Sequence, residues 1–249
     1  MQNTLLIGLS RQVALGRELD VVANNIANVN TTGFKADGSI FEEFLNSNAR
    51  ADQTGNRVSF VRDRGTWHDL SSGPVEKTGN PLDIAVDGKG FLVVQTPRGE
   101  RYTRNGSFQI SNTGELVTSD GYQVMGEAGP IKFQPTDNQI SISADGTISV
   151  REGNATTDSQ RGTLRMVTLD AANLKKDGGS TFSTVNGTPA PTKESRIMQG
   201  MVEKSNVRAV VEMTRMIEVT RSYTQIAAML SQQADMQRSS MTKLAEVPN

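Results

Sequence analysis

Cysteine is absent, and histidine occurs once, at His68. These shortages exclude disulfide frameworks, thiolate nucleophiles, zinc sites built on sulfur and clusters of imidazole ligands. Neither sign of charge is in excess: 26 Lys and Arg stand against 27 Asp and Glu, a net charge of -1. A sequence-independent grip on nucleic acid or an anionic membrane needs a positive field that such a balance does not supply. No run of 18 apolar residues occurs, so no helix of this chain is expected to span a bilayer. The N-terminus offers only the short apolar patch Leu5 to Leu9 with no positive residue ahead of it, a poor secretory signal. Composition alone therefore points to a cytosolic protein, or to one exported by a route that reads no such signal.

Glycine and proline are nearly missing from the two ends. Of 23 Gly and 8 Pro, only Gly8, Gly16 and Pro248 fall outside Gly33 to Gly200. Both residues are costly inside a helix, so the ends can be helical and the middle cannot be mostly helical. Eleven of the twelve aromatics lie in that middle stretch, and six of the ten methionines lie from Met201 onward. The chain is made of two materials, and its 249 residues allow one to two domains.

At the N-terminal end Leu6, Leu9, Val13, Leu19, Val22, Ile26 and Val29 recur mostly at steps of three and four, with charged residues between them. This predicts an amphipathic helix of about 25 residues. Asn30, Thr31 and Thr32 are poor helix formers and Gly33 can take a left-handed turn, which predicts a stop at Gly33 with Phe34 folding back on Val29 or Asn30. At the other end Met201 to Val247 contains neither Gly nor Pro, and Ser205 or Asn206 can cap a helix starting near Val207. Val210, Met213, Ile217, Thr220, Ala227, Ala234 and Met241 sit on a seven-residue grid, with Tyr223, Leu230 and Leu244 one place off it, which is a coiled-coil signal. A helix of that length runs on the order of 55 Å. Each terminal helix is the obvious partner of the other. A single pair still leaves one apolar flank uncovered, which predicts assembly with neighbouring copies or partners.

Residues 34–80 carry few apolar side chains and read as an extended linker region with one or two strands, a short helical turn at Ser39 to Asn46 and a polar run from Arg50 to Arg57. From Pro81 onward short strand signals recur every 8 to 12 residues or so, among them Asp83 to Val86, Phe91 to Val94, Glu100 to Thr103, Gly121 to Val124, Leu164 to Leu169 and Thr181 to Val185. A faint internal repeat places Gly114 and Gly146 in equivalent hairpin turns. The predicted fold class is mixed and mainly β. It has a central all-β domain at 81–200, terminal helices at 1–33 and 201–249 pairing as a coiled coil, and the linker at 34–80.

Gly88-Lys-Gly90 has the look of a phosphate loop, but no helix follows and no Walker or dinucleotide spacing is completed, so a hairpin turn is the better reading. Asp83, Asp87, Asp120 and Asp145 stand in turn-rich stretches, where Asp is common for its own hydrogen bonding. His68 has no evident nucleophile nearby, and its neighbour Trp67 reads equally as an interface anchor or a core residue. No catalytic residue, cofactor or metal ligand is assigned. The stronger signal is Asn24, Asn25, Asn28 and Asn30, four in seven residues. Asparagine is costly within a helix, so these amides are in use, either as C-terminal caps or as bonds to neighbouring chains.

The segment Ala23-Asn-Asn-Ile-Ala-Asn-Val-Asn-Thr-Thr-Gly-Phe-Lys35 resembles the N-terminal signature of the flagellar basal-body rod and hook family. Glu203-Lys-Ser-Asn-Val207, Glu212-Met213, Met216-Ile217 and Arg221-Ser-Tyr223 resemble the family's closing motif, and Gly79 to Val86, Gly88 to Phe91, Tyr102 to Phe108 and Gly121 to Val124 its central ones. Within the family the length and the opening Gly8-Leu-Ser-Arg-Gln-Val-Ala-Leu are most similar to the proximal rod branch. The distal rod branch is the alternative, but it usually carries Tyr-Glu-x-Asn where this chain has Tyr223-Thr-Gln-Ile226. The resemblance implies a structural, non-enzymatic subunit in the rod that crosses the periplasm, exported by the flagellar type III apparatus and stacked helically into a shaft that passes motor torque to the hook. Its implied partners are copies of itself, other rod proteins and that export apparatus, with no nucleic acid and no membrane span. The implied assembly interface takes Leu9, Val13, Leu19, Val22, Asn24, Asn25, Ile26, Asn28, Val29, Gly33 and Phe34 from the first helix and its ending. From the last helix and its approach it takes Ser205, Asn206, Val207, Val210, Met213, Ile217, Arg221, Tyr223 and Leu230. A coiled-coil oligomeric adhesin or binding module, and a carbohydrate-active or metal-dependent β-domain enzyme, are the readings from other classes.

Overall fold

The breaker-free ends are helical and the breaker-rich middle is sheet in the computed structural model, which describes residues 2–50, 57–153, 157–185, 187–192 and 194–245. The chain is mainly β with two terminal helices and divides into two units. Unit 1 takes residues 1–27, 37–69 and 208–249, and unit 2 takes residues 28–36 and 70–207.

Unit 1 contains α1 (Gln2–Ala27), β1 (Asp37–Arg50), β2 (Arg57–His68) and α2 (Ala209–Ala245). Glu212 in the first turn of α2 and Lys243 in its last complement the helix dipole. The two helices lie side by side and antiparallel, with Gly8 facing Leu230, Gly16 facing Tyr223 and Asn25 facing Glu212. The span from Gly8 to Asn25 therefore matches that from Leu230 back to Glu212, about 26 Å along either axis, which keeps the axes close to alignment. Gly8 allows this approach, since a Cβ there would stand 2.7 Å from Leu230 Cδ2. Arg215 closes the pair by donating from two guanidinium nitrogens to Glu18 Oε1, at 2.8 and 2.9 Å.

The helical turn expected at Ser39 to Asn46 is not formed. Those residues are extended in β1, which pairs antiparallel with β2 from Asp37 opposite His68 to Arg50 opposite Arg57. The pairing supplies every second backbone group with a partner strand, which an isolated turn cannot do. Both strands also pack against α1. The expected polar run lies outside the described residues at positions 51–56.

The first helix stops at Ala27, six residues before the expected Gly33. Asn28 to Gly33 form turns instead, because their amides find partners off the helix: Thr31 N donates to Asn28 O at 3.1 Å and Gly33 N to Glu203 O at 2.7 Å. The last helix begins at Ala209, two residues after Val207, whose amide donates to Ser205 Oγ at 3.2 Å.

Unit 2 holds, among the described residues, β3 (Val75–Lys77), β4 (Ile84–Asp87), β5 (Gly90–Thr96), β6 (Gly99–Thr103), β7 (Phe108–Ile110), β8 (Leu116–Thr118), β9 (Gln123–Gly126) and β10 (Gly129–Pro130). It continues with β11 (Asp137–Ile142), β12 (Thr147–Glu152), β13 (Asp158–Thr163), β14 (Met166–Thr168), β15 (Leu174–Lys176), β16 (Thr181–Thr184), β17 (Ala190–Pro191), β18 (Arg196–Gln199) and β19 (Met201–Glu203). The main sheet runs β15-β16-β6-β5-β9-β8-β7, with β14 also on β5; β11-β12-β13 form a second sheet, and β4 pairs with β18 and β3 with β19. Strand β5 lies at the centre because both its faces are apolar. Leu92 and Val94 enter one core with Ile84, Phe108, Leu116 and Ile148, while Phe91 and Val93 enter another with Tyr102 and Phe182.

The internal repeat is real in three dimensions. Ser111 N bonds Glu115 O and Gly114 N bonds Ser111 O; Ser143 N bonds Thr147 O and Gly146 N bonds Ser143 O. Gly114 and Gly146 share a positive φ, 80° and 90°. The hairpin expected at Gly88-Lys-Gly90 is not one, since β4 pairs with β18 while β5 pairs with β6, β9 and β14. The turn passes the chain from one sheet to another.

Candidate assembly interface

The two helices of unit 1 spend one face on each other and leave another to solvent. On α1 the inward positions include Ala14 and Val22, both buried, with Glu18 and Leu19 half-buried. Leu6, Leu9 and Val13, spaced by three and four, stand on the far side, Val13 at 65 % exposure. On α2 the inward positions are Arg215, Val219, Tyr223, Ile226 and Leu230. Val210, Met213 and Ile217 form the outward stripe, at 77, 51 and 62 % exposure. The first three members of the predicted seven-residue grid thus look outward, whereas Tyr223 and Leu230, seven residues apart and both one place off it, look inward. Arg221 is also exposed, and the Leu244 side chain is outside the described ones.

Of the asparagines, Asn24 is exposed and Asn25 is buried. Asn25 is bonded to Asp37 and Glu212 within unit 1. Asn28 accepts from the Thr31 hydroxyl at 3.1 Å within unit 2, a capping turn. Ile26 and Val29 are half-buried.

Gly33, Phe34, Ser205, Asn206 and Val207 come together in unit 2, with all but Asn206 buried. Gly33 takes a φ of 67°, and its amide bonds the Glu203 carbonyl. Phe34 carries the Lys176 ammonium 3.5 Å from its ring centroid, a cation held on an aromatic face. Beside them lies an ion cluster that pattern reading did not single out. Glu203 Oε1 accepts from Lys35 Nζ at 2.6 Å and from Gly73 N at 2.9 Å, and Glu203 Oε2 lies 3.5 Å from Arg104 Nη1. Lys35 and Glu203 are each 1 % exposed. Arg104 also donates to the carbonyls of Val86 and Gly88 and lies over the Phe91 ring. Burial lowers its proton affinity from the ordinary arginine value, and Glu203 opposes that shift. The signal was present in sequence: Lys35, Arg104 and Glu203 each sit inside a motif already notable for other residues.

The remaining polar candidates serve local structure. Asp145 accepts from the amide and hydroxyl of Thr147, and Asp83 from Asn80 and Ser107. His68 Nδ1 lies 2.7 Å from Asp37 Oδ1 at the base of the hairpin, and Trp67 is half exposed beside Gly38. Among the described residues no group of three or more His, Cys, Asp or Glu could hold a metal ion, and no helix is long and apolar enough to cross a membrane.

Residues 5–35 match the family described as flagella basal body rod protein, residues 85–150 the D1 domain of the flagellar hook protein FlgE/F/G, and residues 198–244 the C-terminal region of flagellar basal body rod FlgEFG proteins. The chain is 39 % identical to the flagellar basal-body rod protein FlgF of Caulobacter vibrioides, over 99 % of this chain and 100 % of that one. It is 36 % identical to the FlgF of Mesorhizobium japonicum over 94 % of each chain. It is 34 % identical to the rod protein FlgG of Bacillus subtilis, over 90 % of this chain and 92 % of the relative.

Proposed function

The chain belongs to the flagellar basal-body rod protein family and is a structural subunit of the rod rather than an enzyme, and from that premise we propose that it joins its neighbours through the outward faces of α1 and α2. The observation that carries this is the pair of exposed apolar stripes, Leu6-Leu9-Val13 and Val210-Met213-Ile217, on helices whose other faces are already packed. Fully burying a side chain of this kind is worth roughly 1.5 to 3 kcal/mol, so each of these half to three-quarters exposed residues can add about 1 kcal/mol to a contact between subunits. On this reading the helix pair becomes part of a coiled-coil inner layer only in the assembled rod.

The identity to FlgF relatives over nearly the whole chain, together with the departure at Tyr223-Thr-Gln-Ile226, supports a place in the proximal rod. Type III export and a rod crossing the periplasm follow from the same reading. The test is rod formation: a strain deleted for the gene should lack the rod and everything distal to it by electron microscopy, and the parent gene should restore both. Rods that persist in the deletion strain overturn the reading.

A further inference from the structure

Chain connections to unit 2 occur at four points, next to residues 28, 36, 70 and 207. Inside unit 2 the segments at these points are fastened to one another. Gly33 N bonds Glu203 O at 2.7 Å, Ala36 N bonds Asn206 Oδ1 at 2.7 Å, Asn206 Nδ2 donates to Ser71 O at 3.2 Å, and Lys204 N bonds Pro74 O at 2.9 Å. Lys35 Nζ adds a bond to Ser71 O at 2.7 Å. At the centre stands the Glu203 carboxylate, which takes Lys35, Gly73 and Arg104 from three different stretches of chain.

We propose that Lys35, Glu203 and Arg104 form a buried clasp that holds the four chain connections of unit 2 as one cooperative piece, which opens apart from the core around Leu116. Two cations share one carboxylate here, so the members are not equivalent. Removing Lys35 leaves Arg104 paired with Glu203. Neutralising Glu203 leaves two buried cations without their carboxylate, the costlier defect. A glutamine at 203 would also turn an amide donor toward Arg104, itself only a donor. In a rod subunit, load carried along the chain enters unit 2 at these four points. The clasp itself stands on its own geometry and not on that role.

Amide hydrogen exchange in the full-length chain tests it. In Glu203→Gln the amides of Gly33, Ala36, Gly73 and Lys204 should exchange faster together, by at least about tenfold, while those of Leu116 in β8 and of Leu164 in the core keep the parent rate. In Lys35→Met, which leaves Arg104 on the carboxylate, the same four should also exchange faster together but by less than in Glu203→Gln. A larger effect from Lys35→Met than from Glu203→Gln, or four amides that respond separately, overturns the proposal. A second measurement needs no variant: in the parent chain at increasing urea below the unfolding transition, the four amides should converge on one opening curve below that of Leu116. Four distinct curves, or convergence only with global unfolding, overturn it equally.

Discussion

The side chain of Asn25 holds both backbone polar groups of Asp37: Oδ1 accepts from Asp37 N at 2.9 Å and Nδ2 donates to Asp37 O at 2.8 Å. A primary amide carries donor and acceptor side by side, as this pairing requires. The same Nδ2 reaches Glu212 Oε2 at 3.4 Å, so one buried side chain joins α1, β1 and α2 within unit 1. An interior asparagine that looks wasteful for a helix is here the fastening of three elements.

Asn25→Asp should therefore destabilise unit 1. It keeps the acceptor, loses the donor and sets a buried carboxylate against the Asp37 carbonyl and the Glu212 carboxylate. The expected cost is about 2 to 4 kcal/mol, read from urea unfolding of the full chain followed by circular dichroism. Asn24→Asp, at the exposed neighbouring position, should cost less than half as much. Equal costs would count against the role assigned to Asn25.

Gly33→Ala should be still more disruptive for unit 2. A Cβ at that position would overlap the backbone of Arg104 and Asn105, and the φ of 67° is strained for any side chain. A loss of about 2 to 5 kcal/mol is expected, seen as a lower urea midpoint. An unchanged midpoint would mean that the segment 28–36 is not docked as described.

Much of this architecture is legible in the residues, because periodicity and breakers are local signals. The strands at Phe91 to Val94 and Thr181 to Thr184 and the twin turns at Gly114 and Gly146 follow from apolar runs and glycine spacing. What stays hidden depends on distant partners. Ser39 to Asn46 could be read as helix because its β ladder is supplied by residues beyond 57. Gly33 and Phe34 read as the end of a helix, yet their backbone bonds and burial come from Asn105, Lys176 and Glu203, up to 170 residues away. On the last helix two apolar registers interleave, Val210-Met213-Ile217 and Val219-Tyr223-Ile226-Leu230, and apolarity alone does not say which of them is turned to α1. Exposure separates them.

Acid should weaken unit 2 through Asp137. Its carboxylate accepts from Arg161 Nε at 2.8 Å and from Gln134 N at 2.8 Å, and the bond to Arg161 holds its pKa below the usual range despite burial. A depressed folded pKa stabilises the fold above the unfolded value, near about 4, and that contribution is lost as pH falls through the folded value. Asp137→Asn should cost about 1 to 3 kcal/mol at pH 7 and progressively less below pH 4 or so, with the two unfolding curves converging in acid. A deficit that stays constant with pH would assign the effect to packing rather than to the ion pair.

The helix faces permit the sharpest separation of folding from assembly. Val13 and Ile217 are 65 and 62 % exposed, so Val13→Asp and Ile217→Asp should change the stability of the isolated chain by no more than about 0.5 to 1 kcal/mol. Val22, 1 % exposed and turned inward, should lose several times that as Val22→Asp, because a charge would be buried without a partner. If the outward stripes are the surfaces on which neighbouring subunits pack, each new carboxylate is desolvated in every contact along the rod. A penalty repeated at every subunit should abolish the shaft although each monomer folds. Deletion strains expressing either outward variant should then show no rods by electron microscopy and no swimming. Normal rods from Val13→Asp and Ile217→Asp together would move the assembly surface off the helices and onto the hairpin or the β unit.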